Sequence, residues 1–323
     1  RGAPLSFGGR YADDEPSPLA ELRARVDAVP AALHEPLARL ILNLVEAREW
    51  IELGLRDVPT EMRARVFDAL ERVDDETADG LGYEPVFDDV AKRIDAPSLY
   101  YGCLKALQAT HDARRELAAV EPTTPFGFRL ETAWGLVQIG PPQDHATDDH
   151  LLHVDWGSTG AVPTGPLGST SARCSLSVAL LLDHEGWTGG MELEGATFEQ
   201  DLPVASLASG ILGCGIVYAA GEGDSTWVGG RWALGAGVFG LGALVDEGGN
   251  DRYEVASGGQ GAGLFGIGLL LDAAGKDSYL LTEGDGQGYG GPGGVGVLAD
   301  RSGDDDYEVE RDAKLAGRCL LYT

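Results

Sequence analysis

The sequence predicts an α+β protein: a helical domain over residues 1–120, then a glycine-rich parallel β-solenoid over residues 121–323 with a C-terminal cap. Three observations predict it. Only seven of the 48 glycines fall in residues 1–120, and the other 41 follow. Residues 31–55 place Leu33, Leu37, Leu40, Ile41, Leu44 and Val45 at helical spacing. A 14-residue pattern then recurs three times between residues 240 and 307. The composition step sets the boundary near the Pro/Thr-rich segment 121–125.

The helical elements follow in order. Ser17 is the expected N-cap, with Pro18 at the first helical position. The Ala31 to Leu55 stripe comes next. Thr60-Glu61 opens another helix, with Met62, Val66, Phe67, Leu70 and Val73 on its apolar side. A short helix is expected over Val86 to Ile94 and a longer one over Ser98 to Leu117. Tyr100, Tyr101, Leu104, Leu107 and His111 are expected to line one side of the latter. This bundle is expected to abut the solenoid and cap its end, where unpaired strands would otherwise lie open.

The repeated template is G-x-G-x-L-x-D-x-x-G-x-D-x-Y. Its copies run from Gly240 to Tyr253, Gly266 to Tyr279 and Gly294 to Tyr307, with leading aspartates 26 and 28 residues apart. A period in the twenties with short apolar segments is the mark of stacked β-coils. L-x-D reads as a strand whose alternate side chains face opposite ways. D-x-x-G-x-D reads as a turn, with its Gly at positive φ and its aspartates bonded to local amides. The tyrosines fall on the next strand, in position to stack between coils. Gln260-Gly261 and Gln287-Gly288 follow the first two tyrosines by seven and eight residues. Weaker copies extend backwards through Gly213 to Ala219, with Asp224 as the second aspartate, then Ser177 to Gly186, led by Asp183, then His153 to Asp155. The terminal residues Leu315, Leu320 and Leu321 are expected to pack over the far end.

Coils stacked about 4.8 Å apart would set equivalent aspartates in ladders. Ionised carboxylates in a ladder repel unless hydrogen bonds, solvent or cations neutralise them. Calcium takes carboxylate and turn-carbonyl oxygens. Asp246, Asp251, Asp272, Asp277, Asp300 and Asp305 are therefore the leading candidate ligands, and calcium the leading cofactor. The bland reading of the same residues is a hydrogen-bonded turn that holds no ion.

A second candidate site lies where the repeat degrades. His145, His150, His153 and His184 are four of the six histidines. His153 and Asp155 would share a strand face, with His153 at the place held by Leu181, Leu244, Leu270 and Leu298. His150, His153, Asp155 and His184 are candidate ligands for zinc, iron or copper. His153 with Asp155 would also make an oriented general base, and Cys174 or Ser175 a nucleophile. That arrangement would be a metal-dependent hydrolase or oxidoreductase, the alternative to a calcium-binding structural or interaction protein. Trp156, Trp187, Trp227 and Trp232 fall in the same coils and would offer a surface to a protein, peptide or glycan.

Several classes are excluded or disfavoured. The chain carries 24 basic and 52 acidic residues, a formal charge of −28. That balance argues against nucleic acid and anionic membranes as partners. No apolar run is long enough to span a bilayer. Gly235 to Gly240 fits G-x-G-x-x-G, but no amphipathic helix follows, so a dinucleotide site is not expected. Cys103, Cys174, Cys214 and Cys319 form neither a disulfide scaffold nor a CxxC motif. They leave the compartment open, secreted and periplasmic included. The chain begins at Arg1 with no basic-then-apolar leader, as a mature or trimmed product would.

The turns Gly248-Gly249-Asn250-Asp251 and Gly303-Asp304-Asp305 resemble those of RTX-type calcium-binding repeats. The RTX unit is a nonapeptide, whereas the unit here is about three times longer and adds an L-x-D strand. The pattern over roughly residues 130–310 is similar to bacterial glycine- and aspartate-rich β-solenoid repeat proteins. What the resemblance implies is a solenoid fold with calcium-binding turns.

Overall fold

A computed structural model describes residues 18–72, 85–120, 126–140, 149–156, 167–184, 188–190 and 203–310. Among the described residues, five helices precede a parallel β-solenoid of about five turns. The helices are α1 (Pro18–Ala28), α2 (Ala31–Gly54), α3 (Thr60–Arg72), α4 (Pro85–Ala91) and α5 (Ala96–Ala118). Their bounds follow the expected apolar periods. Ser17, Val73 and the expected terminal cap, Leu315 to Thr323, lie outside the described residues.

Helices α2 and α5 form the main helical pair. In α2 the buried stripe is Leu33, Leu37, Leu40, Leu44, Ala47 and Ile51. In α5 it is Leu99, Gly102, Cys103, Ala106, Thr110, Ala113 and Leu117, not the stripe expected from the larger side chains. Tyr101 and Leu104 are exposed instead. Close approach selects the small residues: a Cβ on Gly102 would sit 2.5 Å from Ala47 O, and one on Gly54 2.6 Å from Leu99 N.

The solenoid begins with an antiparallel hairpin of β1 (Phe128–Thr132) and β2 (Gly135–Ile139). From β2 the largest sheet continues in parallel through β3 (His150–Trp156), β4 (Leu176–His184), β7 (Cys214–Gly221), β10 (Leu241–Asp246), β13 (Ile267–Asp272) and β15 (Val295–Asp300). A second sheet contains β5 (Thr188–Gly190), β8 (Thr226–Arg231), β11 (Arg252–Ser257), β14 (Ser278–Leu281) and β16 (Asp306–Val309). A third, of two-residue strands, joins β6 (Gly210–Ile211), β9 (Gly237–Val238) and β12 (Gly263–Leu264).

The large sheet is apolar on both faces, as a parallel sheet covered on both sides should be. Ala179, Leu181, Val217, Leu244 and Leu270 face the solenoid interior with Trp227, Tyr253 and Tyr279. Val178, Leu180, Ile216, Leu241 and Ala243 face outward and share one core with the α2 and α5 stripes. The helical domain therefore covers the side of the solenoid, along β4 and β7, rather than capping an end. On the last coil, Val295 remains 55% exposed and Tyr307 38% exposed.

The corners of the coils use left-handed backbone at repeating positions. Ala208, Leu234, Gln260 and Gln287 have φ of 50–52°, and Leu212, Phe239 and Phe265 have φ of 47–51°. None is glycine, so each corner stores roughly 1–2 kcal/mol of local strain that packing must offset. Packing is available. The Phe239 and Phe265 rings stack at 4.9 Å, and Phe87 of α4 leans on both. Gln260 donates through Nε2 to Tyr253 O and Leu280 O, and Gln287 to Tyr279 O and Glu308 O, tying adjacent coils from inside.

Candidate cation site

The late coils stack in register, Asp246 beside Asp272 and Asp272 beside Asp300. Each of these aspartates ends its strand and accepts the amide two residues on. Asp272 Oδ1 takes Ala274 N–H at 3.0 Å, and Asp300 Oδ1 takes Ser302 N–H at 3.2 Å. The template glycine follows with positive φ, 126° at Gly249 and 156° at Gly275. A Cβ on Gly275 would sit 1.7 Å from Gly249 O in the neighbouring coil.

The turn aspartates bond between coils rather than within one turn. Asp251 N–H donates to Asp277 Oδ1 at 2.7 Å, and Asp277 N–H donates to Asp305 Oδ1 at 3.0 Å. Ser225 N–H donates to Asp251 Oδ1 at 2.6 Å. The aromatic residues add a second set of links. Trp227 Nε1–H donates to Asp246 Oδ2 at 3.0 Å, Tyr253 OH to Asp272 Oδ2 at 2.6 Å, and Tyr279 OH to Asp300 Oδ2 at 3.0 Å. The tyrosine rings stack as expected, Tyr253 on Tyr279 at 4.9 Å and Tyr279 on Tyr307 at 4.7 Å.

These bonds do not neutralise the charge. Asp246, Asp251, Asp272 and Asp277 are buried. No Lys or Arg forms an ion pair with them among the described residues. Burial pushes Asp251 up to about 9, with help from the Asp246 charge. Burial likewise pushes Asp272 up to about 7 and Asp246 and Asp277 to about 6, and it raises Asp300. The Tyr253 and Tyr279 phenols are also pushed upward by burial and the nearby carboxylates, so they remain donors.

Two carboxylate triads result. Asp251, Asp272 and Asp277 bring one oxygen each within 4.8 Å of one another, and so do Asp277, Asp300 and Asp305. Asp277 belongs to both. It is 1% exposed, and its Oδ2 has no hydrogen-bond partner. Asp246 is in register with the triads but belongs to neither. A small all-oxygen enclosure of this kind matches a hard cation better than a soft one.

The earlier coils depart from the expected alignment. Asp155 pairs with Leu181, which pairs with Ala219, which pairs with Asp246. Leu181, not Asp183, thus stands in the aspartate column, and a register irregularity follows between Leu181 and His184. His153 pairs with Ala179, so it stands in the column of Val217, Leu244, Leu270 and Leu298, with Gln138 before it. Likewise Ser225, not Asp224, occupies the second-aspartate position, and Asp224 instead accepts from Asn250. Trp227 fills the tyrosine column and is fully buried there. The aligned Gly223-Asp-Ser-Thr-Trp227 segment held that signal, but a Tyr-only template passes over it.

His153 and Asp155 are buried on one strand face, as the alternation requires. The His150 and His153 rings meet edge-on at 5.9 Å, and His150 Nε2 lies 3.3 Å from Gln138 Oε1. No ligand-spaced group of three among the described residues includes a histidine. His184 ends β4 in register with Gly221; its side chain and all of His145 lie outside the described residues. The Cys174 thiol donates to Leu176 O at 3.2 Å, and burial pushes it up to about 11. Ser175 Oγ donates to Glu52 Oε1, and Arg63 donates to both oxygens of the same carboxylate. No family model matches this chain, and neither a curated protein nor a solved structure matches it.

Proposed function

We propose that the chain is a calcium-binding β-solenoid with a structural or interaction role, the cation lying among Asp251, Asp272, Asp277, Asp300 and Asp305. One observation carries the reading: Asp277 is buried, belongs to both carboxylate triads, and has one oxygen, Oδ2, that no hydrogen-bond donor reaches. An unsatisfied buried carboxylate oxygen is costly unless a proton or cation meets it. The donor set is entirely oxygen, which favours calcium over zinc, iron or copper. The likeness of the turns to RTX-type repeats belongs to the same reading. Calcium would join successive coils through carboxylates that already bridge them, so its effect would be to stiffen the late repeats. The His150, His153 and Asp155 alternative has less behind it, because these groups do not gather at ligand spacing.

Elemental mass spectrometry on protein purified without added metal tests this, followed by chelation and calorimetric titration with calcium. Calcium at a whole-number ratio, a melting temperature that rises when it is restored, and loss of both in Asp277→Asn would support the reading. A chelated protein that takes up no calcium and melts unchanged would overturn it, leaving protons to neutralise the buried carboxylates.

A further inference from the structure

Cys103 lies on α5 and Cys214 opens β7, and both are fully buried between the helical layer and the large sheet. They exchange contacts reciprocally. Cys103 Sγ donates to Gly213 O at 3.7 Å, and Cys214 Sγ donates toward Cys103 O at 3.8 Å. The two thiols thus each reach a carbonyl on or beside the other's residue. Glycines beside both cysteines let their backbones run close against the neighbouring elements. A Cβ on Gly102 would sit 2.5 Å from Ala47 O, and one on Gly213 would sit 2.1 Å from Ser175 O.

We propose that Cys103 and Cys214 are a modification site: they pair as a disulfide that fastens the helical layer to the solenoid, given a disulfide-class oxidant such as oxidised glutathione. The steps balance. One cysteine loses its proton, attacks a glutathione sulfur and releases one glutathione thiolate. The second loses its proton, attacks the mixed disulfide and releases the other thiolate. Two cysteine thiols are oxidised, one glutathione disulfide is reduced, and two protons leave. Burial holds the Cys214 thiol protonated, so exchange is slow in the closed state and proceeds when α5 lifts from β7.

The test uses the full chain with oxidised glutathione across urea concentrations up to and through unfolding. Remaining thiols are alkylated, and cross-linked peptides are mapped without reduction. The expected product below the unfolding transition is a Cys103–Cys214 peptide, lighter by two hydrogens. It should be absent in Cys103→Ser and Cys214→Ser. Chance oxidation of an unfolded chain would favour Cys174 with Cys214, which are closer in sequence. Pairing that begins only after unfolding, or that joins Cys214 to Cys174 or Cys319, overturns the proposal. So does alkylation of both cysteines below the transition without their pairing.

Discussion

The hydroxyl of Tyr253 in one coil donates to Asp272 Oδ2 of the next across 2.6 Å, with both side chains buried. Tyr279 repeats the relationship with Asp300. Each coil thus holds the next through an aromatic donor as well as through its strands. Tyr253→Phe keeps the stacked ring and removes only the donor. It should cost about 1–3 kcal/mol, the usual penalty for stranding a buried acceptor. Urea unfolding checks this, and a variant as stable as the parent would show that the link contributes nothing.

The buried aspartates make a signed prediction about pH. Their folded-state values lie above the usual carboxylate range, at about 6 for Asp246 and about 9 for Asp251. A group raised in the folded state contributes stability that is fully present below its unfolded value and is lost as pH rises through the folded value. Chelated protein should therefore melt at progressively lower temperature from about pH 4 to about pH 9. Calcium should restore most of the loss at the alkaline end. Asp251→Asn should flatten the curve, and an unchanged slope in that variant would remove Asp251 from the explanation.

Glycine and alanine exchange should act with opposite signs at two corners. Gly275→Ala places a methyl against the backbone of the preceding coil and should cost about 2–3 kcal/mol or prevent folding. Ala208 is a buried alanine at φ 50°. Ala208→Gly relieves left-handed strain of about 1–2 kcal/mol against a chain-entropy cost of about 0.5–1. Its midpoint should stay level or rise. Thermal melts of both variants decide the point, and a clear drop for Ala208→Gly would show that its methyl packing outweighs the strain.

His153→Leu separates the two candidate sites. His153 lies four strand steps from Asp272 in the large sheet, or about 19 Å at ~4.8 Å per step. Leucine already occupies its column at Leu244, Leu270 and Leu298. Calcium uptake should be unchanged in this variant when titrated beside the parent. Loss of calcium with the fold intact would move the metal site to the early coils.

The late coils were legible because three features coincide in each copy: an alternating strand, a glycine turn and a tyrosine one strand on. The two-residue shift at β4 was not. Leu180-Leu181-Leu182 offers apolar side chains in either phase, so Asp183 could be aligned by its identity alone. The left-handed corners were equally hidden, because Leu234, Phe239 and Phe265 are residues that seldom adopt positive φ. The lateral docking of the helices had a sequence trace. Val178 through Leu182 is an unbroken apolar run, which marks a strand buried on both faces. The triads themselves follow from side-chain direction across coils, which spacing along the chain does not give.

The forward-pointing bonds make the late coils modular. Asp251 gives its amide to Asp277 just as Asp277 gives its own to Asp305. Phe239 and Phe265 present equivalent rings to the helical layer. Excising residues 240–265 would join Phe239 to Gly266, the residue that opens the next copy of the same pattern. The aspartate and aromatic ladder donors would then meet acceptors of the kind they had before, while Tyr218 and Arg114 would lose Glu247, whose place Ala273 takes. Solenoid length is therefore a quantity that duplication or deletion of a single unit can change without inventing a new interface.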